Sequence, residues 1–370
     1  MSTDPNTALS DAAGDDGSGD KWDLGGPVPT LDVDRLAPWL DTTDLPGKGE
    51  PIESRYVSGG SQNEIYEIRR GDLHGALRIP PSTAPASRDD GILREWRIID
   101  ALDGTEVPHT PALAVGDDPS ILGRTFYLMG FIDGWSPITE PEWPEPFFSD
   151  VEQRRGLAPE LVGAIGLLSK VDWQAKGLQD LGRPDGFHDR QVDRWTAFLD
   201  RIKGRDLPGL EEASSWLRAH RPIDFVPGIM HGDYQFANVM YHHGGPARMA
   251  AIVDWEMGTG GDPKLDLAWV VSSWPDDTSA PESLGYVDLT GMPSSDELLA
   301  HYSSISGRQV DDMDYYVVLA RWKLAIVLEQ GFQRAGDDPK LTAFGNVVLD
   351  LMAKAAELAE STDYSVTESR

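Results

Sequence analysis

The chain has 370 residues, with 62 Asp and Glu against 32 Lys and Arg, for a formal net charge of −30. Such an acidic balance leaves no basic stripe to neutralise phosphates, which argues against a nucleic-acid partner. With no cysteine there is no disulfide framework and no thiolate zinc site, and no apolar run approaches the length of a membrane span.

An apolar content of 40% is enough to fill one large core or two lobes. Residues 1–27 are rich in Asp, Gly, Ser and Ala and offer little to bury, so they read as a disordered acidic tail. They lack the basic and apolar regions of a secretory signal, which predicts a cytoplasmic protein.

Leu31–Leu40 has the spacing of a short helix. Ile52–Val57, Glu64–Arg69 and Leu73–Ile79 read as three strands, the second alternating as a half-buried strand should. Between the first two lies Ser58-Gly59-Gly60-Ser61. A glycine-bearing turn there can bring backbone N–H groups over phosphates without side-chain obstruction. Asp89–Leu102 is helical in pattern, and Pro111–Gly116 and Thr125–Ile132 are further strands. Trp135–Pro146, rich in Pro and Trp, is a loop. Helices are expected over Leu157–Val171, Gln191–Ile202, Glu211–Ala219, Asp296–Ser303 and Met313–Gln330. Another carries the stripe Phe344, Val347, Val348, Leu351, Met352 and Ala355, and Glu360–Arg370 should fray. Strands first and helices after make the chain α+β.

The chemistry concentrates in Ile229–Ala268, IMHGDYQFANVMYHHGGPARMAAIVDWEMGTGGDPKLDLA. Asp233 is followed five residues later by Asn238, and an apolar run, Ala250–Val253, ends on Asp254. A carboxylate at Asp233 can accept a hydroxyl proton, while Asn238 and Asp254 offer hard oxygen ligands to magnesium. His231 reads as structural, and Asp266 as a brace for the loop. Glu256, if on a strand, would share a face with Asp254. His242-His243 beside two glycines reads as a solvated hairpin turn.

The HGD, Asn and Asp wording, with DWE and GDPxxDLA, resembles the aminoglycoside phosphotransferase/choline kinase-like family. It is most similar to the branch related to the kinase-like domains of acyl-CoA dehydrogenase proteins. The resemblance covers about Ile52 to Leu358. It implies a two-lobed protein-kinase-like fold, with a β-rich N-lobe over residues 28–133 and a helical C-lobe over 134–370. It implies Arg78, held by Glu95, as the cation that grips nucleotide phosphates; general kinases carry Lys there, and Arg keeps the charge. It also implies a hinge at Met129 and Phe131, with Ser58, Gly59, Gly60 and Ser61 covering the phosphates.

The expected activity is ATP- or GTP-dependent, magnesium-requiring transfer to a hydroxyl of a small molecule, catalysed at Asp233. The family offers antibiotics, choline-like alcohols and hydroxyacyl-CoA-type metabolites as acceptors, and the DWE wording favours the last. The expected assembly is a monomer or homodimer. A protein kinase is disfavoured because Asp254 is followed by Trp-Glu, not Phe-Gly. The rival reading is a non-catalytic nucleotide-binding module, against which the intact trio Asp233, Asn238 and Asp254 argues. Deleting residues 1–27 should leave the thermal midpoint and nucleotide affinity unchanged, checked by scanning calorimetry and titration.

Overall fold

The structure is a computed structural model that describes residues 29–59, 63–138, 142–202, 204–275 and 287–366. The expected tail, Gly60 and Ser61 lie outside the described residues.

The chain opens with α1 (Val33–Leu40), capped by Asp32, whose side chain accepts from Arg35 N. Three strands follow: β1 (Glu53–Gly59), β2 (Glu64–Arg70) and β3 (Leu73–Ile79). Then come α2 (Ser87–Leu102), β4 (Ala112–Gly116), the single turn α3 (Pro119–Leu122) and β5 (Phe126–Gly130). The strands form one antiparallel sheet in the order β1-β2-β3-β5-β4. The two-residue period of a strand sorts its side chains. Tyr66, Ile68, Leu77, Ile79, Phe126 and Leu128 face outward and pack on Leu36 and Leu40 of α1. The alternate residues Ala76, Arg78, Tyr127 and Met129 face inward and line a cleft.

The remainder is mostly helical. It runs through α4 (Val151–Arg155), α5 (Leu157–Leu168), α6 (Phe187–Ile202) and α7 (Leu210–Ala219). Four short strands follow: β6 (Gly228–Met230), β7 (Val239–Tyr241), β8 (Met249–Ile252) and β9 (Thr259–Gly261). The helices α8 (Lys264–Val271), α9 (Ser295–Ser306), α10 (Met313–Gln333) and α11 (Pro339–Ser361) complete it. Strand β6 pairs with β9, and β7 with β8, both antiparallel. Helix α10 is the centre of this lobe, burying Tyr315, Tyr316, Leu319, Trp322 and Ile326. Helices α5 and α9 approach closely because Gly166 faces Ile305, whose Cγ2 would stand 3.0 Å from an added Cβ.

Two expectations need correction. The chain end does not fray at Glu360: α11 runs to Ser361, and the Tyr364 ring lies 6.0 Å from Trp216 and 6.3 Å from Tyr315. Aromatic area anchors that segment. The helix expected through Val171 stops at Leu168, where Lys170 N turns back to Leu167 O. Among the described residues, no helix is long and apolar enough to cross a membrane.

Leu77 is fully buried between the sheet and α1. Leu77→Ala should destabilise the protein by about 2–5 kcal/mol, read as a lowered urea midpoint.

Candidate active site

The cleft between the sheet and β7–β8 holds a cavity of about 410 Å³. Val57, Ile65, Ala76 and Met129 form its roof, and Met240 and Val253 its floor. Ser58 and Phe131 also line it, and Gly59 closes β1 beside Ser58. Just beyond the expected hinge, Trp135 N donates to Tyr241 O at 3.0 Å and Tyr241 N donates back to Trp135 O at 2.8 Å. Phe131 stacks on His74, with ring centroids 4.4 Å apart.

Arg78 projects from β3 into the deep end. Its Nε lies 3.0 Å from Glu95 Oε2 on α2, and its Nη2 donates to Asp254 Oδ1 at 2.8 Å. Tyr127 hydroxyl donates to the same Glu95 oxygen at 3.0 Å. Burial works against the guanidinium charge, but Glu95 and Asp254 more than offset it and hold Arg78 firmly charged. Burial raises Glu95 above the usual carboxylate range even with Arg78 beside it.

The loop after β6 is tightly braced. Asp266, at the start of α8, accepts from His231 N at 2.6 Å and Gly232 N at 2.9 Å. His231 is buried; its Nε2 meets Val253 O at 2.8 Å and its Nδ1 accepts from Asp233 N at 3.4 Å. Both ring nitrogens of His231 are thus committed to the backbone. Gly232 sits at φ 86, and an added Cβ would stand 2.6 Å from Met257 O, so only glycine fits.

Asp233 is then presented with Asn238. Asn238 Nδ2 donates to Asp233 O at 2.7 Å and to Asp233 Oδ2 at 3.0 Å, and Gln235 Nε2 donates to Oδ1 at 3.2 Å. Burial and the nearby Asp254 charge raise Asp233 above its ordinary value, against the pull of the amide bonds. Val253 N donates to Asn238 O at 2.9 Å, which sets Asp254 next to Asn238. Among the described residues, Asp254 is the one non-glycine residue with positive φ, at φ 61 and ψ 65. A strained backbone of this kind persists where surrounding structure over-determines it, commonly at functional sites.

That turn corrects the reading of Glu256. The strand ends at Ile252, and Trp255–Met257 form a single 3₁₀ turn, so Glu256 does not share a strand face with Asp254. It lies under α2 instead, where Arg94 Nη2 donates to its carbonyl at 2.6 Å and Arg88 Nη1 stands 3.7 Å from its carboxylate. The pair His242-His243 is exposed in the β7–β8 turn, as expected.

Of the sequence-derived residues, the structure brings Ser58, Arg78, Glu95, Met129, Phe131, Asp233, Asn238 and Asp254 to one cleft or its edge. Sequence reasoning missed Tyr127 and Gln235. Gln235 stood in plain view as the polar residue of HGDYQFAN, whereas Tyr127 is an ordinary strand aromatic until the fold pairs it with Glu95.

Burial beside Asp254 pushes Glu256 up to about 7 from its ordinary 4.5. Between those values the folded chain holds the proton more tightly than the unfolded chain, so stability falls as pH rises across that window. Glu256→Gln should flatten the slope, measured as urea midpoints at the two ends of the window.

The model of the family described as "Phosphotransferase enzyme family" matches residues 53–301. Acyl-CoA dehydrogenase family member 10 of Mus musculus is 28% identical over 316 residues, covering 84% of this chain and 29% of that protein. The chain therefore spans less than a third of that relative's length. Among solved structures, a putative aminoglycoside phosphotransferase from Ralstonia eutropha is 26% identical at TM-score 0.76, over 90% of this chain and all of that one. The GDP complex of aminoglycoside 2'-phosphotransferase-IIIa shares the fold at TM-score 0.56 and 14% identity, over 82% of this chain and 93% of that one. The architecture is thus the α+β, two-lobed, kinase-like one, and the chain belongs to the phosphotransferase enzyme family.

Proposed function

We propose that the protein transfers the terminal phosphoryl group of ATP or GTP to a hydroxyl of a small molecule, with magnesium required. The observation that carries this reading is the convergence of Asp233, Asn238 and Asp254, beside the Arg78–Glu95 pair, at one end of a nucleotide-sized cavity.

The residues fit a hard divalent cation. Asn238 spends its amide N–H on Asp233, and Asp254 spends Oδ1 on Arg78, so Asn238 Oδ1 and Asp254 Oδ2 remain without a hydrogen-bond donor among the described residues. One amide and one carboxylate oxygen are too few to cage a metal alone, and among the described residues no cluster of three His, Asp or Glu side chains could. That is the donor set of a magnesium ion completed by phosphates and water. When bound, the ion would neutralise phosphate charge at the point of transfer.

The protein's own groups then have distinct tasks. Arg78 supplies a fixed positive charge for phosphate oxygens, aimed by Glu95. Asp233 orients the acceptor hydroxyl and takes its proton, which passes on to solvent. The hydroxyl oxygen forms the new bond to phosphorus as the bond to the nucleotide's bridging oxygen breaks, releasing the nucleoside diphosphate. The raised proton affinity of Asp233 suits it to that proton transfer. The apolar roof and floor take the base.

Asp233→Asn should keep Mg-ATP affinity while kcat falls on the order of a hundred- to ten-thousand-fold. Asp254→Asn should instead weaken magnesium-dependent nucleotide binding, since a neutral amide is a poorer ligand. Calorimetric titration and ADP release across an acceptor panel separate the two. Wild-type turnover by Asp233→Asn would return the site to nucleotide binding alone.

A further inference from the structure

A cluster outside the cavity touches the electrostatics of the same loop. Lys323 lies on the otherwise apolar central helix α10, within VVLARWKLAIVL. Its ammonium stands 5.2 Å from the ring centroid of Trp195 on α6 and 5.2 Å from that of Trp269 on α8. Trp269 comes three residues after Asp266, the brace of the catalytic loop, so the slot is built beside that loop. None of the three residues lines the nucleotide-sized cavity.

Among the described residues, the Lys323 ammonium forms no ion pair. Two aromatic faces flank it in place of a carboxylate. Burial lowers its pKa; the charges of Asp266 and Asp233 work the other way, and Arg194 adds to the lowering. Those two carboxylates are already committed, Asp266 to backbone N–H groups and Asp233 to Asn238 and Gln235. Lys323 is thus a half-buried cation within electrostatic reach of Asp233 that makes no ion pair among the described residues. In a chain of net charge −30, such a spot stands out against its surroundings.

We propose that Lys323, framed by Trp195 and Trp269, is the acceptor-side anion contact, so the acceptor is a hydroxylated small molecule bearing a carboxylate or phosphate. The inference rests on the phosphotransferase reading and deepens it. Lys323 binds the acceptor's charge and thereby places its hydroxyl at Asp233. The same ammonium fills the aromatic slot in which a quaternary ammonium would otherwise sit, so it rejects cationic alcohols and polyamines by repulsion as well as by occupancy.

The test uses hydroxyalkanoates of graded chain length, hydroxyalkyl phosphates, the matching neutral diols and the matching hydroxyalkyl-trimethylammonium ions. Two readouts are taken on the full chain: ADP release with Mg-ATP, and tryptophan fluorescence as each compound is titrated, since Trp195 and Trp269 flank the proposed contact. In the wild type the anionic series should bind and turn over, and the neutral and cationic series should not. The carboxylate and phosphate arms tell which anion is preferred.

Lys323→Met should lower kcat/KM for the anionic acceptor on the order of a hundredfold, leaving the KM for ATP and the thermal midpoint unchanged. Lys323→Arg should retain the preference. Should Lys323→Met fail to fold, Lys323→Gln takes its place. Equal use of neutral or cationic acceptors, a preference unchanged in Lys323→Met, or no fluorescence response to any anion overturns the inference. Phosphotransfer without charge preference sinks this inference and leaves the kinase reading standing. Charge-selective binding without ADP release does the reverse.

Discussion

Arg78 holds the molecule's two halves in one electrostatic unit. Its guanidinium reaches Glu95 on α2 and Asp254 on the loop after β8, so sheet, helix and carboxylate-bearing loop meet at one side chain. Arg78 and Glu95 are buried and Asp254 is half-buried, and Tyr127 completes the satisfaction of Glu95. Removing one member of such a buried set leaves the others uncompensated, typically at about 3–5 kcal/mol. The same contacts that fix the site therefore also join the lobes, and site geometry and lobe geometry cannot drift independently.

Below that contact the loop from His231 to Asn238 is held by backbone bonding. Asp266 takes the N–H groups of His231 and Gly232, His231 takes Val253 O and Asp233 N, and Val253 N returns to Asn238 O. This closed circuit ties α8, the loop and the β7–β8 hairpin together. It uses buried polar groups for position, with Asn238 and Asp254 lining the cleft and Asp233 held against Asn238. Glu95, Asp233, Glu256 and Asp266 all bind protons more tightly than free carboxylates because burial penalises their charged forms, and the Asp254 charge adds to this for the first three.

Much of this was legible from residue patterns. The three N-terminal strands, α1, α2 and the central α10 follow the alternation or apolar spacing of their sequences, since burial on one face dictates both. Asp233, Asn238 and Asp254 were legible because their offsets encode a loop and a hairpin of set length. Glu256 was misplaced because alternation assumes a continuing strand, and the left-handed turn at Asp254 ends it. Tyr364 was missed because one aromatic in a polar tail gives no periodicity, although it docks on Trp216 and Tyr315. Lys323 gives no signal of its own within the apolar sequence of α10. Its setting comes from Trp195 and Trp269, which are far away in the chain and adjacent only once α6, α8 and α10 pack.

The β7–β8 hairpin has a metrical consequence. At one end Trp135 and Tyr241 exchange backbone hydrogen bonds, fastening the hinge to β7; at the other, Val253 N binds Asn238 O. Between hinge and carboxylates lie the three residues Val239–Tyr241, a span of about 10 Å at strand rise. The hairpin is a gauge: it fixes the length of the slot from the Trp135 contact to Asn238. A molecule that engages both ends is measured against those three residues. Adding a residue to β7 would lengthen the gauge and turn the alternate side chains over, spoiling its calibration and its floor together.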